Sequence, residues 1–326
     1  EGSTIYLEND YTQEGKEPIF ITKPLIIDGK GHTIDGQGKN SIFYVERHSK
    51  TTLKNINFIN GNAIGSGFHG AGGAILTISD VTVINCTFTD NTAKSGGGAI
   101  ATAQPGDFVI TVINSTFTDN TAKEKGGAIG GSYDTIINVI NSTFTDNTAG
   151  TIGGAIYSSK SGILTVTNST FTDNTAKEDG GAIYTDDGSV TVTGSTFNDN
   201  TAKREGGAIS TTYGGSLTVS GSTFNDNSAE KNGASIYTEA VLNVKDSTFK
   251  SENENGTAII YIRCSDNKNV NLRNNTIKSN LPAIYNYVNN NKGGVLVSPT
   301  ILTFNNEKVD WGEYAILTAT LTDDKG

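Results

Sequence analysis

The side chains of this chain that could do acid–base chemistry are few, and most of them repeat. Asp90, Asp119, Asp146, Asp173, Asp199 and Asp226 occupy one position of a recurring string, STFTDNTA or a close variant. A carboxylate required at every recurrence reads as a turn residue. Asp186 and Asp187 break that pattern. Paired carboxylates on one face can hydrolyse a glycosidic bond, but a solvated turn is the simpler account of this pair. A polysaccharide lyase would need an acidic Ca²⁺ cluster and a Lys or Arg base. Arg47, Arg204, Arg263 and Arg273 all lie away from the Asp pair in sequence. His32, His48 and His69 cluster near the start of the chain, but their spacing matches no compact ligand motif. They are expected to hydrogen-bond there. No catalytic residue, metal ligand or cofactor is assigned.

Binding is better represented. Tyr157, Tyr184 and Tyr237 each follow the Ile of a second recurring string, GGAI or a looser copy, with Ser210 interrupting them. As an outward column they could stack on sugar rings or a partner surface. Ile84, Ile113 and Ile140 share another outward column, which is a contact stripe unless a variable arc covers it. Asn85, Asn114, Asn141, Asn168, Asn255 and Asn274 each open an N-x-[ST] sequon. The first four share a column, where a stack of amides is the simpler expectation. Thr165/Thr167 and Thr191/Thr193 form the outward pairs of an ice-binding face, but the Ile residues in earlier coils break the array.

These residues need a scaffold, and the repeat supplies it. The first string places its Phe at Phe88, Phe117, Phe144, Phe171, Phe197 and Phe224. The second places its Ile at Ile75, Ile100, Ile129, Ile156, Ile183 and Ile209. Phe to the next Ile is 12 residues each time, whereas Ile to the next Phe varies from 13 to 17. One arc is therefore fixed, and the other carries loops such as residues 101–107 and 130–135. Ahead of each Phe, Val83, Val112, Val139, Val166, Val192, Val219 and Val244 alternate with Thr or Asn, as in a strand with one buried face. Phe has the opposite parity, so a corner must separate it from that strand. The Gly pair suits a second corner, and the Asn three residues after Phe, such as Asn91, suits a third. The reading is all-β: a right-handed parallel β-helix of about ten coils, each roughly 26 residues, with the Phe residues as its core ladder. Residues 1–50 should form an N-terminal cap and irregular first coils, residues 51–291 the repeats, and residues 292–326 a separate β segment.

Composition agrees. The chain holds 39 Gly and 5 Pro but no Met, which favours turns and β-branched strands over helices. A net charge of −10 disfavours nucleic acid and anionic lipid. No apolar run reaches the roughly 18 residues of a membrane helix. The chain opens without an initiator Met or signal peptide, as a mature or trimmed chain would. Cys86 and Cys264 fall six or seven coils apart, on the order of 30 Å, so two free thiols are expected.

The FxxN tetrapeptides (Phe88 to Asn91 and its copies) and the GGAI strings resemble repeats of chlamydial polymorphic outer-membrane proteins. The layout is even more similar to adhesin-like surface proteins of methanogenic archaea. That similarity includes PLIIDGKGHTIDGQG at residues 24–38, and residues 299–326, which look like the opening strands of an Ig-like domain. The resemblance implies a pectin-lyase-like fold, display outside the cell and a role in attachment, with the surface of another cell, by protein or glycan, as the expected partner; a monomer is expected. Gly31 and His32 resemble a catalytic Gly-His of some polygalacturonases, without the matching Asp set. Polysaccharide lyases and hydrolases share the fold, so a carbohydrate-active enzyme is the alternative.

Overall fold

The computed structural model describes residues 3–65, 70–253, 255–264, 270–288, 300–303 and 320–322. Every regular element among them is a strand, and the strands stack into a parallel β-solenoid with four faces.

One coil explains the rest. Val81–Ile84 alternates buried and half-buried residues, turning Val81 and Val83 inward. Asn85 then adopts φ 53°, a left-handed conformation that Asn tolerates. That corner resets the parity, so the Phe88 side chain of Thr87–Thr89 also points inward. Asp90 turns the chain again at φ 55° into the short strand Thr92–Ala93. Gly97 makes the third corner at φ 59°, and Ile100–Thr102 forms the last face. A wider arc leads to Val109–Ile113 of the next coil. The two glycines of the corner have separate tasks. Gly97 supplies the positive φ, while a Cβ on Gly98 would lie 2.1 Å from the Gly127 carbonyl oxygen.

Successive coils pair in parallel with equivalent residues aligned: Phe88 with Phe117, Val83 with Val112, Ile100 with Ile129. The Phe rings stack at centroid distances of 4.6 to 4.9 Å from Phe58 to Phe249. Each is fully buried, contributing about 1.5–3 kcal/mol by burial and roughly 0.5–1.5 kcal/mol by ring stacking.

The corner after the Phe strand differs from the sequence expectation. Asp90, Asp119 and their copies take the left-handed conformation, and the following Asn is fully buried instead. Asn120 shows why. Its Nδ2 donates to the Phe88 carbonyl (2.9 Å) and to Asn147 Oδ1 (3.0 Å). Its Oδ1 accepts from Asn91 N and Asn91 Nδ2. All four hydrogen-bonding positions of the amide are used, so burial costs little. A parallel ladder runs through Ser115, Ser142 and Ser169, each Oγ donating to the carbonyl two residues back.

The stack begins earlier than residue 51. Ser3–Tyr6, Tyr11–Thr12 and Ile19–Ile21 already pair in parallel with the second coil. At the other end, Thr300–Thr303 pairs antiparallel with Thr276–Ser279, and Thr320–Thr322 with Thr300–Thr303. The rest of residues 292–326, and with them the Ig-like comparison, lie outside the described residues.

Candidate functional site

The loops concentrate along the face that begins with the GGAI Ile. The residue after each Ile points away from the core there, and these residues align as Ala101, Gly130, Tyr157, Tyr184, Ser210 and Tyr237. They form the floor of an axial trough. One wall is the turn before the Gly corner, with Lys94, Lys125 and Arg204. The other is the variable arc, with Pro105, Tyr133 and Tyr213. The arcs start slightly later than their spacing implied, because Ile100–Thr102 and Ile129–Gly131 are still strand.

The walls correct one sequence expectation. Tyr157, Tyr184 and Tyr237 are 8%, 6% and 1% exposed, so they are not displayed as an open column. Each hydroxyl is tied to the arc wall. Tyr157 donates to Ser159 Oγ (3.2 Å), Tyr184 Oη pairs with Thr212 Oγ1 (2.7 Å), and Tyr237 donates to Glu239 Oε1 (2.9 Å). Burial pushes the Tyr184 and Tyr237 hydroxyls well above their ordinary pKa. The rings of Tyr157 and Tyr184 stack at 6.1 Å, and those of Tyr237 and Tyr261 at 5.6 Å.

Two hollows flank the Tyr157–Tyr184 stack. The first, about 440 Å³, lies over Ala101 and Gly130 beside Lys125, Tyr133, Tyr157 and Asp186. The Lys125 ammonium sits 4.9 Å from the Tyr157 ring centroid, a cation–π contact. The second, about 380 Å³, is bordered by Tyr184, Arg204, Glu205, Tyr213, Glu239 and Arg263. There Arg204 grips the buried Asp179 through Nε and Nη2, and that hydrogen-bonded pairing raises the Arg204 pKa. Both hollows have the size of a small-molecule site. Ring faces, cations and hydroxyls suit hydroxyl-rich ligands.

The other sequence candidates are scattered. Ile84, Ile113 and Ile140 are half-exposed and in register on the Val face, leaving an apolar stripe partly open. Asn85, Asn114, Asn141 and Asn168 are exposed corner residues with positive φ. Asn85 Nδ2 donates to Asn55 Oδ1 at 3.4 Å, and a continuous ladder of stacked amides runs through the buried Asn91 column. Asp187 holds a left-handed turn at φ 50°, whereas Asp186 borders the first hollow. His32 pairs with Asp10 at 3.1 Å, His48 sits in a positive-φ turn, and His69 lies outside the described residues. Among the described residues, no group of three or more His, Cys, Asp or Glu is placed to hold a metal ion, and no helix is long and apolar enough to cross a membrane. Cys86 is a buried free thiol, and the Cys264 side chain is outside the described set. Sequence reasoning missed the hollows. Their signal was the loss of Tyr from the column at Gly130 and Ser210.

A four-faced stack of parallel coils with a walled trough along one side defines a β-solenoid. The chain belongs to the right-handed β-helix family: the family model described as "Right handed beta helix region" matches residues 2–197 and 99–276. No curated protein matches it by sequence. Among solved structures it is similar to the Streptococcus pneumoniae surface protein and adhesin PfbA. The two share 13% identity over 88% of this chain and 91% of that one, with a TM-score of 0.51. That likeness is one of fold.

Proposed function

We propose that this chain is a non-catalytic attachment module displayed outside the cell, which binds glycans or proteins on the surface of another cell. The carrying observation is the walled trough, whose first hollow presents the exposed Tyr133 ring, lysines and hydroxyls, with the edge of Tyr157, on a scaffold held rigid by continuous ladders. Preorganised aromatic surface of this kind binds at low entropic cost. The shared fold of a protein titled a surface adhesin supports the same reading. The test is binding of the purified chain to intact cells and to a glycan array, with an unrelated β-helix as control. Binding well above control, reduced at least tenfold in Lys125→Ala/Tyr133→Ala, is the expected result. Binding no stronger than the control would refute it.

Asp179, Glu205 and Glu239 around the second hollow favour one other reading, a polysaccharide hydrolase or lyase. It calls for release of reducing ends or unsaturated products from acidic polysaccharides, with and without Ca²⁺. Such release, abolished in Glu205→Gln/Glu239→Gln or in Asp186→Ala/Asp187→Ala, would replace attachment by catalysis.

A further inference from the structure

We infer that the first hollow is a subsite for the terminal sugar of a neutral glycan chain, with the apolar face of the sugar ring stacked on Tyr157 above Gly130. The inference rests on the attachment reading and names the ligand class of that trough.

The column of outward residues carries the argument. Going toward the C-terminus, Tyr157 stacks on Tyr184. Going the other way, its register partner is Gly130, and the one before that is Ala101. The ring stack therefore stops at Tyr157, with one ring face turned toward the space over Gly130. The Lys125 ammonium lies over that ring, and Tyr157 is 8% exposed, so a sugar reaches the ring face when the long Lys125 side chain swings aside and donates to a sugar hydroxyl. The backbone does not demand glycine at this place. Gly130 is absent from the positive-φ corners, and its register partners Ala101 and Tyr157 both carry side chains. A Cβ there would meet the Gly97 nitrogen at 2.8 Å and the Gly96 carbonyl carbon at 3.2 Å, so a side chain at this position requires the neighbouring Gly96–Gly97 backbone to move.

Shape and charge narrow the ligand. The Tyr157 ring rises where Gly130 leaves a gap, so it stands as an end wall across the trough floor. Along the floor itself the step from Gly130 up to Tyr157 suits a chain end abutting the ring, while the hollow continues beside it to Ser159 and Asp186. The charged side chains bordering the hollow are Lys94 and Lys125 against Glu124 and Asp186. Two positive and two negative groups favour a neutral, hydroxyl-rich ring over a uronic acid. Backbone groups of Gly130 and Gly131 and the Ser132 and Ser159 side chains are at hand for its hydroxyls.

The experiment uses the full chain on an array of neutral oligosaccharides fixed by their reducing ends, each present with and without its terminal residue. Wild type should bind at least one intact oligosaccharide, and trimming the terminal sugar should weaken it tenfold or more. Gly130→Tyr fills the space from the floor and should lose the same binding, with a lowered thermal unfolding midpoint because the Gly96–Gly97 backbone must move to admit a Cβ. Ala101→Tyr fills the neighbouring floor position, which already carries a Cβ and lines the same hollow, and should lose the binding while keeping the wild-type unfolding midpoint. Indifference to trimming, unchanged binding in both filled variants, or no array binding at all would overturn the inference. So would capture of a Trp- or Tyr-bearing peptide that Gly130→Tyr abolishes while no glycan binds. Cell binding separates the two levels. If Gly130→Tyr adheres to cells as wild type does, the sugar subsite fails and attachment stands. If wild type itself does not adhere, attachment fails.

Discussion

Cys86 occupies the place that Ser115, Ser142 and Ser169 fill in later coils. Its Sγ donates to the Ile84 carbonyl at 3.4 Å, as Ser115 Oγ does to Ile113 at 2.9 Å. Burial pushes its thiol up to about 11 from an ordinary 9.0. The proton is held more tightly in the folded state, so the contribution is complete below about pH 9 and is lost as pH rises toward 11. Cys86→Ser should fold well, since the next coils already use serine. Wild type should lose roughly 2–3 kcal/mol relative to Cys86→Ser between those pH values. Urea denaturation of both proteins at pH 8 and pH 11 measures it, and parallel losses would show that the thiol titrates normally. Iodoacetamide at pH 8 should label Cys86 only on unfolding.

At the scale of one element, the buried asparagine column is the least replaceable feature. Asn147→Ala leaves the Phe117 carbonyl, the Asn120 amide and backbone N–H, and Asn174 Oδ1 short of a partner. Unsatisfied buried groups cost about 1–3 kcal/mol each, so a loss of roughly 3 kcal/mol is expected. Asn147→Asp should be worse at pH 7, because it buries a charge facing two oxygens, and should partly recover as acid protonates it. Phe144→Ala should cost about 3–5 kcal/mol. Thermal or urea unfolding ranks all three, and a benign Asn147→Asp would contradict the ladder. The sequence makes the Phe, Val and Gly–Gly columns legible because each obeys a period and a known backbone preference. It leaves open which of Asp90 and Asn91 takes the left-handed corner, as both residue types tolerate it. The inward turn of Asn91 depends on contacts with neighbouring coils. Burial of Tyr157, Tyr184 and Tyr237 was illegible for another reason: the walls that cover them come from arcs of unequal length, which have no period to read.

For the whole molecule, each coil touches only its neighbours, so stability is a sum over coils and interfaces. The first coil has one neighbour, and Ser3–Tyr6 is exposed throughout. Hydrogen exchange should therefore run fastest in Ser3–Tyr6 and Tyr11–Thr12 and slowest in central strands such as Ile136–Ile140 and Ile163–Thr167. Mass spectrometry of timed exchange would reveal the gradient, and uniform protection would contradict it. The trough and both hollows lie among the central coils, where the ladders are continuous, which keeps a binding surface away from fraying ends.

The hydrogen bonds between coils all run along the long axis, and this governs how the molecule carries a load. Tension between its two ends would open the outermost coil first, while the coils behind it stay closed. A 27-residue coil drawn straight spans roughly 90 Å. A molecule pulled in this way would lengthen in discrete steps, each absorbing work, and the coils would rewind when the pull relaxes.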